Sequence, residues 1–207
     1  MTTPRDLLIT AMEVEPSRPV ERGEMSLALA GAELIDFLAA GVITLDDDRI
    51  VPGGGAAVAD RLLDQAVASL VREAPYEAVS DWLWRRGREL APAYLAALEA
   101  EGVLTRQRSH WKPFQDGQRV LADSPDRRRA EDRWESNEPV LVALATAVGI
   151  RDQETEDAPN SPGAPDEPDE AVETVLAAVN DALIELESVK QRRAIEQAAF
   201  DNIWRGQ

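Results

Sequence analysis

Two stretches of this chain carry the same pattern of residues, and this repeat constrains the fold more than any other feature. In residues 33–52 and again in residues 94–113, apolar residues at helical spacing lead to a glycine, Gly41 in one and Gly102 in the other. Glycine tolerates the left-handed backbone that commonly ends a helix. A short apolar run and a polar turn follow each glycine, which is typical of a small hairpin. The repeat therefore predicts a helix followed by a β-hairpin, formed twice.

Apolar residues at helical spacing predict further helices around the repeat. With 44% hydrophobic residues, the chain has enough apolar material for a packed core. We expect a mainly α fold, a compact helical domain over residues 1–151 with two small β-hairpins. The predicted helices are Arg5–Met12, Met25–Ala40, Asp60–Arg72, Val79–Leu90, Pro125–Trp134 and Pro139–Ile150.

Residues 152–170 differ in composition from the rest of the chain. They contain eight acidic residues, no basic residue and four prolines, which is typical of a flexible, disordered linker. After this linker, apolar residues recur every three or four positions from Val172 to Leu186, so residues 171–207 are predicted to form an amphipathic C-terminal helix. Its apolar stripe is expected to pack either on residues 1–151 or on a second copy of the chain.

The chain lacks the residues that most catalytic and metal sites require. It contains no cysteine and one histidine, His110, which is interpreted as a solvated residue of the second hairpin. Gly53–Gly55 lacks the lysine and hydroxyl residue of a phosphate-binding P-loop, and Asp46–Asp48 lacks the alternating ligands of a calcium loop. We therefore expect no enzymatic activity, no metal and no cofactor.

The same composition indicates where the protein resides. No apolar run is long enough to span a bilayer, and residues 1–10 do not resemble an export signal. The absence of cysteine fits a reducing compartment. Two lysines beside twenty arginines suggest the coding bias of a GC-rich bacterial genome. We expect a cytoplasmic protein.

Basic residues are concentrated in the middle of an otherwise acidic chain. The net charge is −17, yet half of the 22 lysines and arginines lie between Arg85 and Arg133. Among them Arg127, Arg128, Arg129 and Arg133 follow a helix start at Ser124. One interpretation is a solvated face balanced by neighbouring acids. The other is a binding site for phosphate or lipid headgroups, which arginine's fork of donors suits well.

A second candidate surface lies on the predicted helix that contains two tryptophans. Trp82 and Trp84 are two positions apart, so they point to nearly opposite sides. One is expected in the core and the other at an edge. The edge residue has three arginines beside it and forms either a solvated helix end or a membrane-interface surface. The residues of this candidate surface are Trp84, Arg85, Arg86 and Arg88.

A helix followed by a hairpin also occurs in winged-helix DNA readers, in which Arg106, Arg108 and Lys112 would lie on the wing. However, a net charge of −17 opposes binding to the phosphate backbone. We therefore expect no nucleic-acid partner.

Several sequence blocks, in order, resemble the Golgi phosphoprotein 3 family in its bacterial branch. The resemblance covers about residues 3–150. It implies a mostly helical peripheral membrane protein and, in eukaryotic members, an adaptor that binds phosphatidylinositol 4-phosphate and retains glycosyltransferases. The blocks are TPRDLLITAM (3–12), LALAGAELIDFLAAGVITL (27–45), RLLDQAVASL (61–70), LAALEAEGVLT (95–105) and RRRAEDRW (127–134).

The resemblance also implies where a headgroup would bind. The arginine of the family's headgroup site corresponds to Ala30 and its tryptophan lies near Glu21, so neither is matched. The family's later basic helix is matched in character by Arg127–Arg129. We expect anionic, phosphoinositide-like headgroups as partners, with protein clients and a homo-oligomer as further expectations. The protein would then act at the inner face of the bacterial membrane, with a helical scaffold lacking lipid affinity as the alternative.

Overall fold

The computed structural model describes residues 2–55, 60–107, 118–151 and 169–205. Within these ranges the chain forms eight α-helices and two two-stranded antiparallel sheets, which confirms the predicted mainly α class. In chain order the elements are α1 Thr3–Glu13, α2 Arg22–Ala39, β1 Ile43–Asp46, β2 Arg49–Pro52, α3 Arg61–Ala68, α4 Val79–Arg86, α5 Leu90–Ala100, β3 Leu104–Gln107, β4 Gln118–Leu121, α6 Pro125–Glu135, α7 Pro139–Ala147 and α8 Glu170–Arg205.

Helix α2 is the centre of the fold. Its residues from Glu24 to Ile35 are all buried, and it contacts α1, α4, α5, α7 and α8. A helix that is apolar around most of its circumference has to be surrounded by other elements, because any exposed side would leave apolar surface in water. Its N-terminus is closed by a capping box between Glu21 and Glu24.

The two predicted hairpins form where the repeat places them. Gly41 after α2 and Gly102 after α5 both adopt positive φ, 64° and 75°. Strand β1 pairs with β2 from Ile43 opposite Pro52, and β3 pairs with β4 from Leu104 opposite Leu121. Residues 108–117, which include His110, Arg108 and Lys112, lie outside the described residues.

The helix predicted over Val79–Leu90 begins at Val79, but its predicted end is wrong. Helix α4 ends four residues early, at Arg86, and α5 begins at Leu90 after Glu89, whose φ is 56°. The turn lets the chain pass close to α2: the Ala91 N–H donates to Ser26 Oγ at 3.0 Å. A Cβ on Gly87 would lie 2.5 Å from the Leu83 carbonyl oxygen, far inside contact distance, so the turn requires glycine.

Two further helices end earlier than the periodicity predicts. Helix α3 ends at Ala68 instead of residue 72, where the Ser69 hydroxyl donates to the Ala66 carbonyl. Helix α7 ends at Ala147 because Gly149 adopts a φ of 80°. Local capping, which apolar spacing does not reveal, decides both ends.

The apolar stripe of helix α8 packs on the rest of the same chain, which is one of the two expected arrangements. Val175, Val179 and Ala182 are buried, and the helix contacts α2, α4 and α7. It begins at Glu170, one residue before the predicted start. Residues 152–168 of the predicted linker lie outside the described residues, and the division at residue 151 stays a prediction.

The two tryptophans of α4 separate as predicted. Trp82 is fully buried, packs edge-on against Phe37 with ring centroids 6.3 Å apart, and donates its indole N–H to Ala30 O at 3.3 Å. Trp84 is half-buried at the edge of the core. Of the two, Trp84 is therefore the one with a surface open to solvent.

Candidate functional site

Arg86, one of the predicted interface residues, is part of an internal network. Its guanidinium donates two hydrogen bonds to the carboxylate of Glu33 at 2.8 Å and one to the Leu62 carbonyl at 3.0 Å. The Tyr94 hydroxyl donates to the same carboxylate at 3.0 Å. Burial raises the pKa of Glu33, whose side chain is fully enclosed. Arg86 thus joins α2, α3, α4 and α5 and is occupied by this structural role.

Arg85 is exposed but also has partners inside the protein. It donates to both carboxylate oxygens of Glu77, at 2.6 and 2.7 Å, and its guanidinium lies 5.0 Å from the ring centre of Trp82. These contacts occupy the donors that would bind a phosphate.

Arg133 lies apart from the other arginines of α6. It donates to Asp6 at 2.6 Å and to Glu138 at 2.8 Å, and so fastens α6 to α1 and to the first turn of α7. Burial raises the pKa of Asp6. We interpret Arg133 as a structural residue, since two carboxylates already satisfy its charge.

The three consecutive arginines of α6 have different surroundings. Arg127 forms an ion pair with Glu13, whereas Arg128 is exposed and lies 3.5 Å from Asp123. Arg129 is exposed and makes no ion pair with any residue that the structure describes. The adjacent cavity, of about 310 Å³, is lined by Arg127 and by three carboxylates, those of Glu13, Glu131 and Glu135. This cavity therefore disfavours an anion.

A different cavity gathers arginine and tryptophan side chains. It has a volume of about 230 Å³ and lies between the N-terminus of α2, the α4–α5 turn and α8. We call it the arginine–tryptophan cavity after Arg22, Trp84 and Arg88, which line it. The other lining residues are Gly23, Ser26, Leu27, Gly87, Glu89 and Leu186.

The electrostatics of the arginine–tryptophan cavity favour an anion. Arg22 and Arg88 are exposed, and within the described ranges neither forms an ion pair. The first turn of α2 and the turn before α5 also lie there and contribute partial positive charge, while the C-terminal end of α4 at Gly87 contributes partial negative charge. One carboxylate, that of Glu89, lines the cavity and opposes this field. The acids that begin α2 are neutralised elsewhere, because Glu24 binds Arg18 and Glu21 binds Lys190.

Sequence reasoning found Trp84 and Arg88 but missed Arg22. Arg22 is far from them in sequence, and only the packing of α4 and α5 on α2 brings the three together. One sequence signal could have indicated it. A cation at the first position of a helix is unfavourable beside the positive end of the helix dipole, so Arg22 does not stabilise α2.

A larger cavity of about 580 Å³ lies between α2, β1, α7 and the start of α8. Its lining includes the carboxylates of Asp36 and Glu138 and the Arg133 guanidinium. Asp36 accepts a hydrogen bond from the Thr3 N–H at 2.9 Å, and burial raises the pKa of Asp36 to about 6. The charges here are mixed, so this cavity shows no preference for an anion.

The raised pKa of Asp36 predicts a pH-dependent contribution to stability. The folded protein holds the Asp36 proton up to about pH 6, whereas the unfolded chain releases it near 3.8, so stability falls as the pH rises between these values. Asp36→Asn should therefore stabilise the protein at neutral pH, by about 2 kcal/mol after allowance for solvent screening. Below pH 4 the gain should disappear. Urea unfolding across this range measures the difference, with the exposed Asp64→Asn as control, and a gain independent of pH would contradict the assignment.

Two further properties bear on the class of protein. Across the described residues no helix is both long and apolar enough to cross a membrane. In the same part of the chain no three histidine or acidic side chains group in a way that could hold a metal ion.

The described residues define a mostly helical protein with two small hairpins and a basic cavity beside a tryptophan. The sequence model of the Golgi phosphoprotein 3 (GPP34) family matches residues 4–193, and this chain belongs to that family. The predicted resemblance is thereby confirmed, and the match extends through α7 into α8. No curated protein matches the chain.

Proposed function

We propose that this protein is a peripheral membrane adaptor that binds the headgroups of anionic phospholipids, including phosphoinositides, in the arginine–tryptophan cavity. The observation that carries the proposal is the meeting of Arg22, Arg88 and Trp84 in one cavity. Membership in a family of non-enzymatic adaptors known for binding phosphoinositides and protein partners supports it. The protein would have no catalytic step and would act at the cytoplasmic face of a membrane, where it could also hold protein clients.

The chemistry of the cavity suits a lipid headgroup. Two guanidinium groups can each donate two hydrogen bonds to one phosphate, and these charge-assisted bonds are stronger than bonds between neutral groups. Tryptophan is favoured at the depth of lipid headgroups, because its ring is apolar and its N–H is polar. Leu27 and Leu186 give the cavity an apolar side as well. The volume of about 230 Å³ suits one headgroup better than a large cofactor.

The α6 arginines Arg127, Arg128 and Arg129 are the second candidate site for the same ligand. Arg128 and Arg129 are exposed, which favours this site. The ion pair of Arg127 with Glu13 and the carboxylates of the adjacent cavity disfavour it. Arg133 could contribute only by giving up Asp6 or Glu138.

Vesicle sedimentation tests the proposal. We expect the protein to sediment with vesicles containing phosphatidylinositol 4-phosphate or phosphatidylserine and to remain in solution with phosphatidylcholine vesicles. Arg22→Ala/Arg88→Ala should weaken this binding about tenfold or more, because each lost charge-assisted hydrogen bond contributes about 1.5–3 kcal/mol. Higher salt should also weaken it.

Two variants with altered charge make the test specific. Arg61→Ala/Arg72→Ala removes two exposed arginines that do not line the cavity, and this variant should bind vesicles as the unaltered protein does. Arg127→Ala/Arg128→Ala/Arg129→Ala tests the second site. If only this triple variant loses binding, the headgroup site lies on α6. Equal recovery of the unaltered protein with neutral and anionic vesicles would disprove lipid binding altogether.

A further inference from the structure

Helix α8 extends well beyond the part that packs on the fold. Val175, Val179, Ala182 and Leu183 are buried, but every residue from 191 to 198 is exposed. The helical backbone continues to Arg205. At 1.5 Å per residue, the helix after Lys190 extends about 22 Å from the last packed turn. We call residues 191–205 the projecting half of α8.

The charge of α8 reverses where the helix leaves the fold. Residues 170–190 carry five acidic residues and one basic residue, Lys190, which binds Glu21, whereas residues 191–205 carry three basic and two acidic residues. In a chain with a net charge of −17 this excess of positive charge is local. The projecting half therefore fits an anionic surface better than it fits the rest of the protein.

The projecting half begins beside the arginine–tryptophan cavity. Leu186 lines that cavity, and one turn later Lys190 binds Glu21 at 2.8 Å, next to Arg22. With 3.6 residues per turn, positions 193, 200 and 204 fall on the same face of the helix as position 186. The sequence has arginine, phenylalanine and tryptophan at these positions.

We propose that the projecting half of α8 is a second membrane contact, which lies on an anionic lipid surface beside the arginine–tryptophan cavity. The helix positions of Arg193, Phe200 and Trp204 continue the line of Leu186 away from the cavity. A helix with basic residues beside aromatic ones binds at the headgroup level of a membrane through charge and apolar burial together. The proposal rests on the proposed function in one respect, because the cavity determines which side of the protein faces the lipid.

The opposite face of α8 offers a matched control. Ile184 and Ile195 are 67% and 70% exposed and lie eleven residues apart, so they share a face opposite that of Leu186. A second copy of the chain bound through α8 would cover these isoleucines. A lipid surface that contacts the Leu186 side leaves them in water.

The experiment uses the full chain and two ligands. Phe200→Ser/Trp204→Ser should weaken sedimentation with phosphatidylserine vesicles about tenfold or more, and Arg192→Ala/Arg193→Ala should weaken it about threefold or more. Both variants should bind the soluble headgroup inositol 1,4-bisphosphate in calorimetry as the unaltered protein does. Ile184→Ser/Ile195→Ser should change neither measurement.

Trp204 also provides a direct readout of contact. Lipids with brominated acyl chains quench tryptophans that reach the membrane, and Trp204→Phe should remove a large part of this quenching in phosphatidylserine vesicles. If Phe200→Ser/Trp204→Ser sediments like the unaltered protein, the projecting half is not a membrane contact, while the headgroup site can still stand. Two results together would instead assign α8 to contact with a second copy of the chain. Light scattering would show a dimer that Ile184→Ser/Ile195→Ser abolishes, and Phe200→Ser/Trp204→Ser would still bind vesicles.

The result also separates this inference from the proposed function. If inositol 1,4-bisphosphate does not bind but Trp204-dependent quenching occurs, the helix contacts lipid and the cavity is not a headgroup site. If the soluble headgroup binds and the quenching does not depend on Trp204, the cavity is confirmed and the helix inference fails.

Discussion

Arg86→Ala is expected to destabilise the protein by about 3–5 kcal/mol, because it leaves a buried carboxylate without its counter-ion. The Glu33 side chain is fully enclosed, and Arg86 supplies two of its hydrogen bonds. Without Arg86 only the Tyr94 hydroxyl would still donate to this carboxylate. The midpoint of urea unfolding, compared at equal slope, measures the loss.

The neighbouring arginine is the matched control for this prediction. Arg85→Ala removes the same side chain one position earlier, but the Arg85 side chain is 43% exposed and its partner Glu77 is 10% exposed, whereas Glu33 is fully enclosed. The expected loss is smaller than that of Arg86→Ala, because water still reaches the Glu77 carboxylate.

A second variant shows whether the unpaired charge of Glu33 causes the loss of stability in Arg86→Ala. Glu33→Gln/Arg86→Ala leaves no charge at position 33, and the amide oxygen of the new side chain can still accept from Tyr94, so this variant should be more stable than Arg86→Ala alone. The loss in Arg86→Ala should also shrink in acid, since burial raises the pKa of Glu33 and protonation removes the uncompensated charge. Equal instability of the single and double variants would exclude this mechanism and indicate lost packing.

Gly31→Val is expected to cost about 3 kcal/mol and to loosen α8 from the fold. A Cβ at Gly31 would lie 2.3 Å from Val179 Cγ2, far inside contact distance, and 3.7 Å from Val175. The β-branched Val179 has little rotamer freedom in a helix, so α8 itself would have to move. Urea unfolding measures the cost, and faster amide hydrogen exchange in residues 172–186 would locate it.

Two comparisons test the steric explanation for Gly31. Gly54→Val adds the same side chain where no atom lies within 4 Å, so the cost should be small. Gly31→Val/Val179→Ala makes room for the new methyl groups and should recover part of the loss. If the double variant is destabilised by the sum of the two single effects, the two residues do not compete for the same space.

The local features of the fold were predictable from the sequence because short-range rules govern them. Gly41 and Gly102 end their helices with positive φ because glycine alone adopts that backbone without strain. Trp82 and Trp84 separate because residues two apart on a helix cannot share a face. The break between α4 and α5 was not predictable, since the start of α5 is held by a hydrogen bond from the Ala91 N–H to Ser26 on another helix.

The candidate site shows where the limit of sequence reasoning lies. The arginine-rich segments could be identified in the sequence, but the carboxylates with which each arginine pairs could not. Arg86 binds a carboxylate 53 residues away, and Arg133 binds one 127 residues away. These long-range pairs leave Arg88 and the unexpected Arg22 as the arginines beside a half-buried tryptophan.

The sequence by itself determined the helical class, the repeated helix and hairpin, the family and the amphipathic C-terminal helix, because each depends on neighbours along the chain. Only the tertiary structure decided which arginines are structural and which line a cavity. An arginine becomes structural when packing places a carboxylate beside its guanidinium group. Packing on α2 also brings together residues that are distant in sequence. The extent of the projecting half of α8 was also decided by the tertiary structure, since only packing shows where the buried stripe ends and the exposed helix begins.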